Sequence, residues 1–388
     1  MIPYGRQSLD ADDKEAVLRV LDSDFLTQGP EVPDFESALN FRVGSDYAVA
    51  MTSATSALHL SCLALEVGPG DKVWTSAISF VASANCAVYC GADVEFVDVD
   101  CTTGNMSILA LRTKLREAHL AGELPKVVIP VHFAGQPVNM AEIARLGEEF
   151  GFKIIEDASH ALGASYLGEP VGSCRYSDIT VFSFHPVKMI TTAEGGSAHT
   201  NNAILSERLR NLRSHGITRD PNSISQKIEG DWFYDQIGLG FNYRMPDILA
   251  ALGQSQLKKL DSFLASRRKI VSHYDELLDQ DSFRPLSRDR DAESSWHLFV
   301  VSVLAPNQRK LVFDHLRSNG VLVNVHYRPI YQQSFYRSFG KYNMEDFPGA
   351  EQYYQTAISL PIFPDLGRRK VEEIVQILGG RMGHQVIF

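Results

Sequence analysis

Between Tyr47 and about residue 215, apolar positions in this chain of 388 residues follow two alternating rhythms. Short runs, mostly apolar throughout, occur at 47–51, 72–76, 94–99, 127–133, 153–157, 178–184 and 196–200, which predicts strands covered on both faces. Stretches near 55–66, 80–89, 107–121, 139–150 and 202–213 instead carry the helical repeat. This alternation predicts an α/β domain with a largely parallel sheet, in which ligands gather at the carboxyl ends of the strands. Upstream, Asp10–Leu21 starts with acids and sets Ala16, Val17, Val20 and Leu21 on one face, as a first helix would. The turn-rich Asp24–Pro30 suits a binding loop or a plain connection.

Beyond residue 215 the pattern changes. An aromatic- and glycine-rich loop is expected over 229–246, followed by one long helix from Pro246 to about Leu278. Strands at 297–304 and 321–327 around a helix at 306–318, with a last helix at 368–379, predict a smaller α+β domain. The expected division is 1–250 for the large domain with its N-terminal segment and 251–388 for the small one, which the long helix opens.

Composition narrows the classes. A hydrophobic share of 44% with 22% charged residues is that of a folded globular chain. A net charge of −10 without a basic stripe argues against nucleic acid as a partner. No apolar run approaches the roughly 18 residues of a membrane span, and the first residues lack a leader pattern, so a cytoplasmic chain is expected. Five cysteines without a CxxC pair read as reduced packing residues, with no metal site.

The candidate chemistry centres on Ser183–Gly196. Lys188 follows the strand at 178–184 and sits among Phe184, Pro186, Val187, Met189 and Ile190. Desolvation there lowers an amine's pKa, and a neutral amine is a nucleophile of the kind that holds a carbonyl cofactor such as pyridoxal phosphate (PLP). Two complements are then needed: an acid for the pyridine nitrogen and a cup for the phosphate. The strand at 153–157 ends in Glu156 and Asp157, whose side chains point to opposite faces; Asp157, with His160 in the following turn, is the candidate acid. Thr52–Ala57 is small, rich in hydroxyls and placed just before a helix, so it can receive a phosphate, although the same residues cap helices that bind nothing. Phe80 could lie against a heterocycle or belong to the core.

These segments together resemble a known family. Ser-Phe-His-x-x-Lys-x-Ile-Thr-Thr-Ala-Glu-Gly-Gly, Thr-Ser-Ala-Thr-Ser-Ala-Leu, Glu-Asp-Ala-Ser-His-Ala and Gly-Phe-Asn-Tyr-Arg-Met are similar to the sugar aminotransferases of the DegT/DnrJ/EryC1/StrS family, fold type I PLP enzymes. The resemblance implies Lys188 as the Schiff-base lysine and Asp157 as the partner of the pyridinium nitrogen. It also implies Phe80 stacked on the ring and His160 near the phenolic oxygen. Ala54, Thr55 and Ser183 would hold the phosphate, with Asn242 reaching in from the second subunit of a homodimer. For a nucleotide sugar it points to Tyr4, Phe25, Leu26, Thr27 and the segment Val325, His326, Tyr327 and Arg328. The implied reaction passes the amine of L-glutamate to a keto carbon of a nucleotide-linked sugar, leaving 2-oxoglutarate. A dehydratase on this fold would carry His in place of Lys188, and a non-catalytic sensor would not need Lys188, Asp157 and Asn242 together.

Overall fold

The computed structural model describes residues 1–226, 228–305 and 307–380. Its central sheet has seven strands, in the order Tyr47–Met51, Gly196–Thr200, Ile179–Ser183, Lys153–Asp157, Val127–Ile129, Lys72–Ser76, Asp93–Val97. Gly196–Thr200 is antiparallel to both of its neighbours, and the other strands point one way. The pleat explains why these runs are apolar throughout. Val127 and Ile129 pack with helices Ala54–Ala64 and Ala82–Tyr89, whereas Val128 between them packs with Ile108–Ala121 and Met140–Phe150 on the opposite face. The mostly parallel α/β sheet expected for a fold type I enzyme is therefore present.

Several elements differ from the expectation. The strand expected at 127–133 stops at Ile129 ahead of Pro130, and Phe133–Gly135 forms a single 3-10 turn. Helix Glu31–Val43 was not anticipated. It contains Pro33, which is tolerated because the first helical turn leaves its N–H groups without intrahelical partners. The single helix expected over 246–278 is two, Asp247–Leu257 and Leu260–Leu277. The break lies where the first helix, Ala11–Leu21, docks: Lys259 pairs with Asp10 and Asp13, and Gln256 donates to the Ser8 carbonyl and to Asp13.

The loop expected at 229–246 carries some order. Asp235–Gln236 pairs with Ile217–Thr218, and Asn242 and Arg244 bridge to Ser214 and Met51. In the C-terminal part, Phe283–Pro285, Phe299–Val303 and Ala357–Leu360 form an antiparallel sheet. The strand expected at 321–327 is reduced to Val321–Leu322, parallel to Ile2–Pro3. The helix expected from 306 begins at Arg309; residue 306 itself, and 381–388 of the expected small domain, lie outside the described residues. No helix among the described residues is long and apolar enough to cross a membrane.

Candidate active site

A cavity of about 550 Å³ opens at the carboxyl ends of the central strands. Helix Ala54–Ala64 forms one wall. Its N-cap Ser53 accepts from the Ser56 N–H at 3.1 Å, and the Ser56 hydroxyl accepts from the Ser53 N–H at 3.0 Å. This reciprocal cap leaves the N–H groups of Ala54 and Thr55 without partners among the described residues, at the positive end of the helix dipole. The backbone packs closely there: a Cβ on Gly196 would stand 2.4 Å from the Ala54 nitrogen. Ser183 completes this corner, which has the donors a phosphate needs.

Lys188 lies in a loop closed at its base by Phe184 N–H to the Gly195 carbonyl (2.9 Å) and Thr192 N–H to the Phe184 carbonyl (3.0 Å). Met189 and Ile190 are buried beneath it with Phe182 and Phe184, so the lysine is held from below and its amine is turned into the cavity. Burial lowers its pKa to about 8 against the opposing pull of the Asp157 charge.

Asp157 and Glu156 part as strand alternation requires. Asp157 faces the cavity, accepting from the Ser83 hydroxyl at 2.6 Å and the Ser159 N–H at 3.1 Å. Glu156, on the other side, is paired with His132 at 2.7 Å and accepts from Ser177 and Thr180. Phe80 stands 58% exposed at the cavity, an aromatic face with nothing stacked on it among the described residues. A free aromatic face, a strand-end carboxylate, a desolvated amine and a phosphate-sized nest together fit a flat heteroaromatic aldehyde bearing a phosphate.

His160 is buried, and burial, with the Lys188 and His326 charges, holds its imidazole well below the ordinary value. Its Nε2 lies 3.3 Å from the Tyr327 hydroxyl. Tyr4 reaches the cavity because its carbonyl accepts from the Ile362 N–H at 2.9 Å, and its ring lies 5.1 Å from that of His326. Val325, His326 and Tyr327 complete that wall.

The remaining expected residues lie elsewhere. Phe25, Leu26 and Thr27 do not line this cavity; Phe25 and Leu26 are exposed, and the Leu26 carbonyl accepts from the Asp247 N–H at the start of Asp247–Leu257. Arg328 is outside the lining, with its Nε 3.4 Å from Gln332. Asn242 is exposed and does not line its own chain's cavity. The structure adds Ser83, Glu194 and His297, which the sequence reading left aside. For Ser83 a signal existed, since Ser79 is four residues before it and the two hydroxyls meet at 2.7 Å.

Residues 7–379 match the model of the DegT/DnrJ/EryC1/StrS aminotransferase family. A UDP-4-amino-4,6-dideoxy-N-acetyl-β-L-altrosamine transaminase from Campylobacter jejuni is 37% identical over 386 residues, covering 97% of this chain and 96% of the relative. The structure of Helicobacter pylori PseC, an aminotransferase involved in pseudaminic acid biosynthesis, superposes with a TM-score of 0.88 at 33% identity over 98% of both chains. A sugar aminotransferase from Streptococcus pneumoniae in a PLP form gives a TM-score of 0.88 at 30% identity, over 98% of this chain and 99% of that one.

Proposed function

This chain belongs to the DegT/DnrJ/EryC1/StrS family of PLP-dependent aminotransferases, and from that membership we propose that it passes the amine of L-glutamate to C4 of UDP-2-acetamido-2,6-dideoxy-β-L-arabino-hexos-4-ulose. The observation that carries the transfer chemistry is the desolvated Lys188 amine facing Asp157 across one cavity. The choice of sugar rests on the Campylobacter and Helicobacter relatives.

When bound, PLP supplies an aldehyde to carry the migrating amine and a ring that accepts electron density. Lys188 anchors the cofactor between turnovers. Its ε-amine, when free, would move the proton at the α-carbon of glutamate and, in the second half of the reaction, the proton at the sugar carbon. Asp157, oriented by Ser83 and the Ser159 N–H, keeps a proton on the pyridine nitrogen. The Ala54 and Thr55 N–H groups and Ser183 would hold the phosphate, with Phe80 and His160 placed to meet the ring and its phenolic oxygen. Tyr4 and the stretch Val325–Tyr327 offer an apolar and hydroxyl-bearing wall to the nucleotide sugar. Phe25, Leu26, Thr27 and Arg328 stand outside the lining and would meet the sugar nucleotide only at the rim or from a second subunit.

The acceptor is tested by incubating holoenzyme and L-glutamate with this ketosugar or its D-xylo epimer and identifying the amino sugars by NMR. Preference for the L-arabino compound is expected. Preference for the D-xylo compound, or for a GDP- or dTDP-linked ketosugar, rejects the acceptor and leaves the aminotransferase standing.

The working unit is proposed to be a homodimer in which Asn242 enters the partner's site. Asn242 is exposed and lies outside its own cavity's lining, and the preceding segment exposes Trp232 and Leu239 at 72% and 82%, an apolar surface suited to a second copy. Lys188→Ala and Asn242→Ala chains, each poorly active, should regain activity when mixed, because each heterodimer then has one site with both residues intact. Verified heterodimers that gain nothing would show that Asn242 serves its own chain.

A further inference from the structure

We propose that His297, backed by the buried Arg267 and set against His160, is the subsite for a carboxylate of the amino donor. The inference rests on the aminotransferase reading and adds to it the place where the dicarboxylate docks.

His297 stands just ahead of strand Phe299–Val303, and an unusual backbone turns it inward. Trp296 has φ of 57°, in the left-handed region that a bulky residue enters only when its surroundings compel it. Those surroundings are visible. The Ser295 N–H donates to the Gly135 carbonyl at 3.1 Å, and the Leu298 N–H donates to the Ala134 carbonyl at 3.3 Å. Arg267 Nη1 donates to the carbonyls of Trp296 at 3.0 Å, His297 at 3.3 Å and Ile362 at 3.2 Å. The Ser295 hydroxyl donates to the His160 carbonyl at 2.7 Å, so the same segment holds both histidines.

The outcome is a ring 3% exposed that lines the cavity, its centroid 4.3 Å from that of His160. The side chain of His297 has no hydrogen-bond partner among the described residues, and the Nδ1 atoms of His297 and His160 are both buried without one. Unpaired ring nitrogens in a buried position are costly unless something completes them.

The donor brings what is missing. L-glutamate carries two carboxylates into a cavity whose lining, among the described residues, contains Lys188 as its one Lys or Arg, and Lys188 is committed to the cofactor. Asp157 and Glu194 make parts of that lining repellent to an anion. The region of His297 is the reverse. Behind it lies the Arg267 guanidinium, lowered by burial to about 10 and therefore still charged at neutral pH, with no acid paired to it among the described residues. A carboxylate before His297 would meet an imidazole N–H with that positive charge behind it, and hydrogen bonds to an ionised acceptor are the stronger kind. Burial first, then the His160, Lys188, Arg267 and His326 charges, hold the His297 imidazole well below its ordinary value, so it waits as a neutral donor.

The experiment separates the two halves of the reaction on holoenzyme, reading cofactor absorbance as L-glutamate or the amino-sugar product is titrated into the pyridoxal form and 2-oxoglutarate into the pyridoxamine form. His297→Phe keeps a flat ring and removes the N–H, and His297→Gln keeps a donor. For the Phe variant the half-saturating concentrations of L-glutamate and 2-oxoglutarate are expected to rise about tenfold or more, with that of the amino sugar little changed; the Gln variant should recover part of the loss. Equal weakening of all three ligands, or none, overturns the assignment. So does a glutamate-selective loss in Arg244→Ala, Arg6→Ala or Arg328→Ala that His297→Phe lacks. Unsubstituted holoenzyme whose cofactor spectrum does not respond to glutamate overturns the aminotransferase reading itself, and this subsite with it.

Discussion

Replacing Lys188 by Ala is expected to lower amine transfer roughly thousandfold or more, since one side chain is asked both to anchor the cofactor and to move the proton at the reacting carbon. The position cannot be supplied from elsewhere: the loop is closed by the Phe184–Gly195 and Phe184–Thr192 hydrogen bonds, and Met189 and Ile190 fix it from beneath. Borohydride treatment of unsubstituted holoenzyme followed by peptide mapping should place the pyridoxyl adduct on Lys188; an adduct on another lysine refutes the assignment. The lowered pKa gives a second readout. Only the neutral amine attacks an aldehyde, so the rate at which apoenzyme captures PLP should rise with pH and be half-maximal near about 8, not near the ordinary lysine value. Stability has a matching sign. Because the folded-state value lies below that of the unfolded chain, the buried ammonium weighs against folding fully below about pH 8, and this penalty fades as pH rises from there toward the ordinary value. At pH 7 the apo form of Lys188→Ala should therefore melt no lower than its parent.

Most of the central sheet could be read in advance because its strands are buried on both faces. Tyr47–Met51, Lys72–Ser76, Lys153–Asp157 and Gly196–Thr200 begin and end at the bounds expected for them. Legibility failed where tertiary contacts override local pattern. Nothing between Gln256 and Leu260 breaks a helix by propensity; the break is made by Asp10 and Asp13 arriving from the N-terminus to pair with Lys259. Glu31–Val43 was hidden because Pro30 and Pro33 look like a turn, although a proline in the first helical turn forgoes no internal hydrogen bond. The site divides in the same way. Ala54, Thr55, Asp157, Ser183 and Lys188 lie at strand ends or a helix start, where chain order predicts proximity, and one cavity gathers them. His297 looked like the first residue of an apolar strand, because the left-handed turn at Trp296 that redirects its ring is imposed by Arg267 and Gly135, both distant in sequence. The resemblance assigned Arg328 and Phe25–Thr27 to the nucleotide sugar, and the fold of one chain does not bring them to the cavity.

Replacing Gly196 by Ala is expected to be strongly damaging, acting on cofactor retention as well as stability. Gly196 does not need glycine's left-handed freedom; its constraint is space. An added Cβ would lie 2.4 Å from the Ala54 nitrogen, 2.5 Å from the Ser53 carbonyl carbon and 2.6 Å from the Ala54 Cα, all of them backbone atoms that no rotamer change can move. Relief must come from parting strand Gly196–Thr200 from the start of helix Ala54–Ala64. That strand is registered at Gly196 to both Met51 and Ser183, so the movement reaches three parts of the proposed phosphate corner: the Ala54 and Thr55 N–H groups, Ser183 and the base of the Lys188 loop. Overpacking in a rigid setting costs about 3 kcal/mol or more, the upper part of its usual range. Gly68→Ala and Gly238→Ala are suitable controls, as an added Cβ at either meets nothing within 4 Å. Denaturant unfolding of the apoenzymes should show Gly196→Ala well below both controls, and dialysis should strip PLP from it first. A Gly196→Ala enzyme that keeps PLP as tightly as the controls would mean that the amino end of Ala54–Ala64 is not where the phosphate is held.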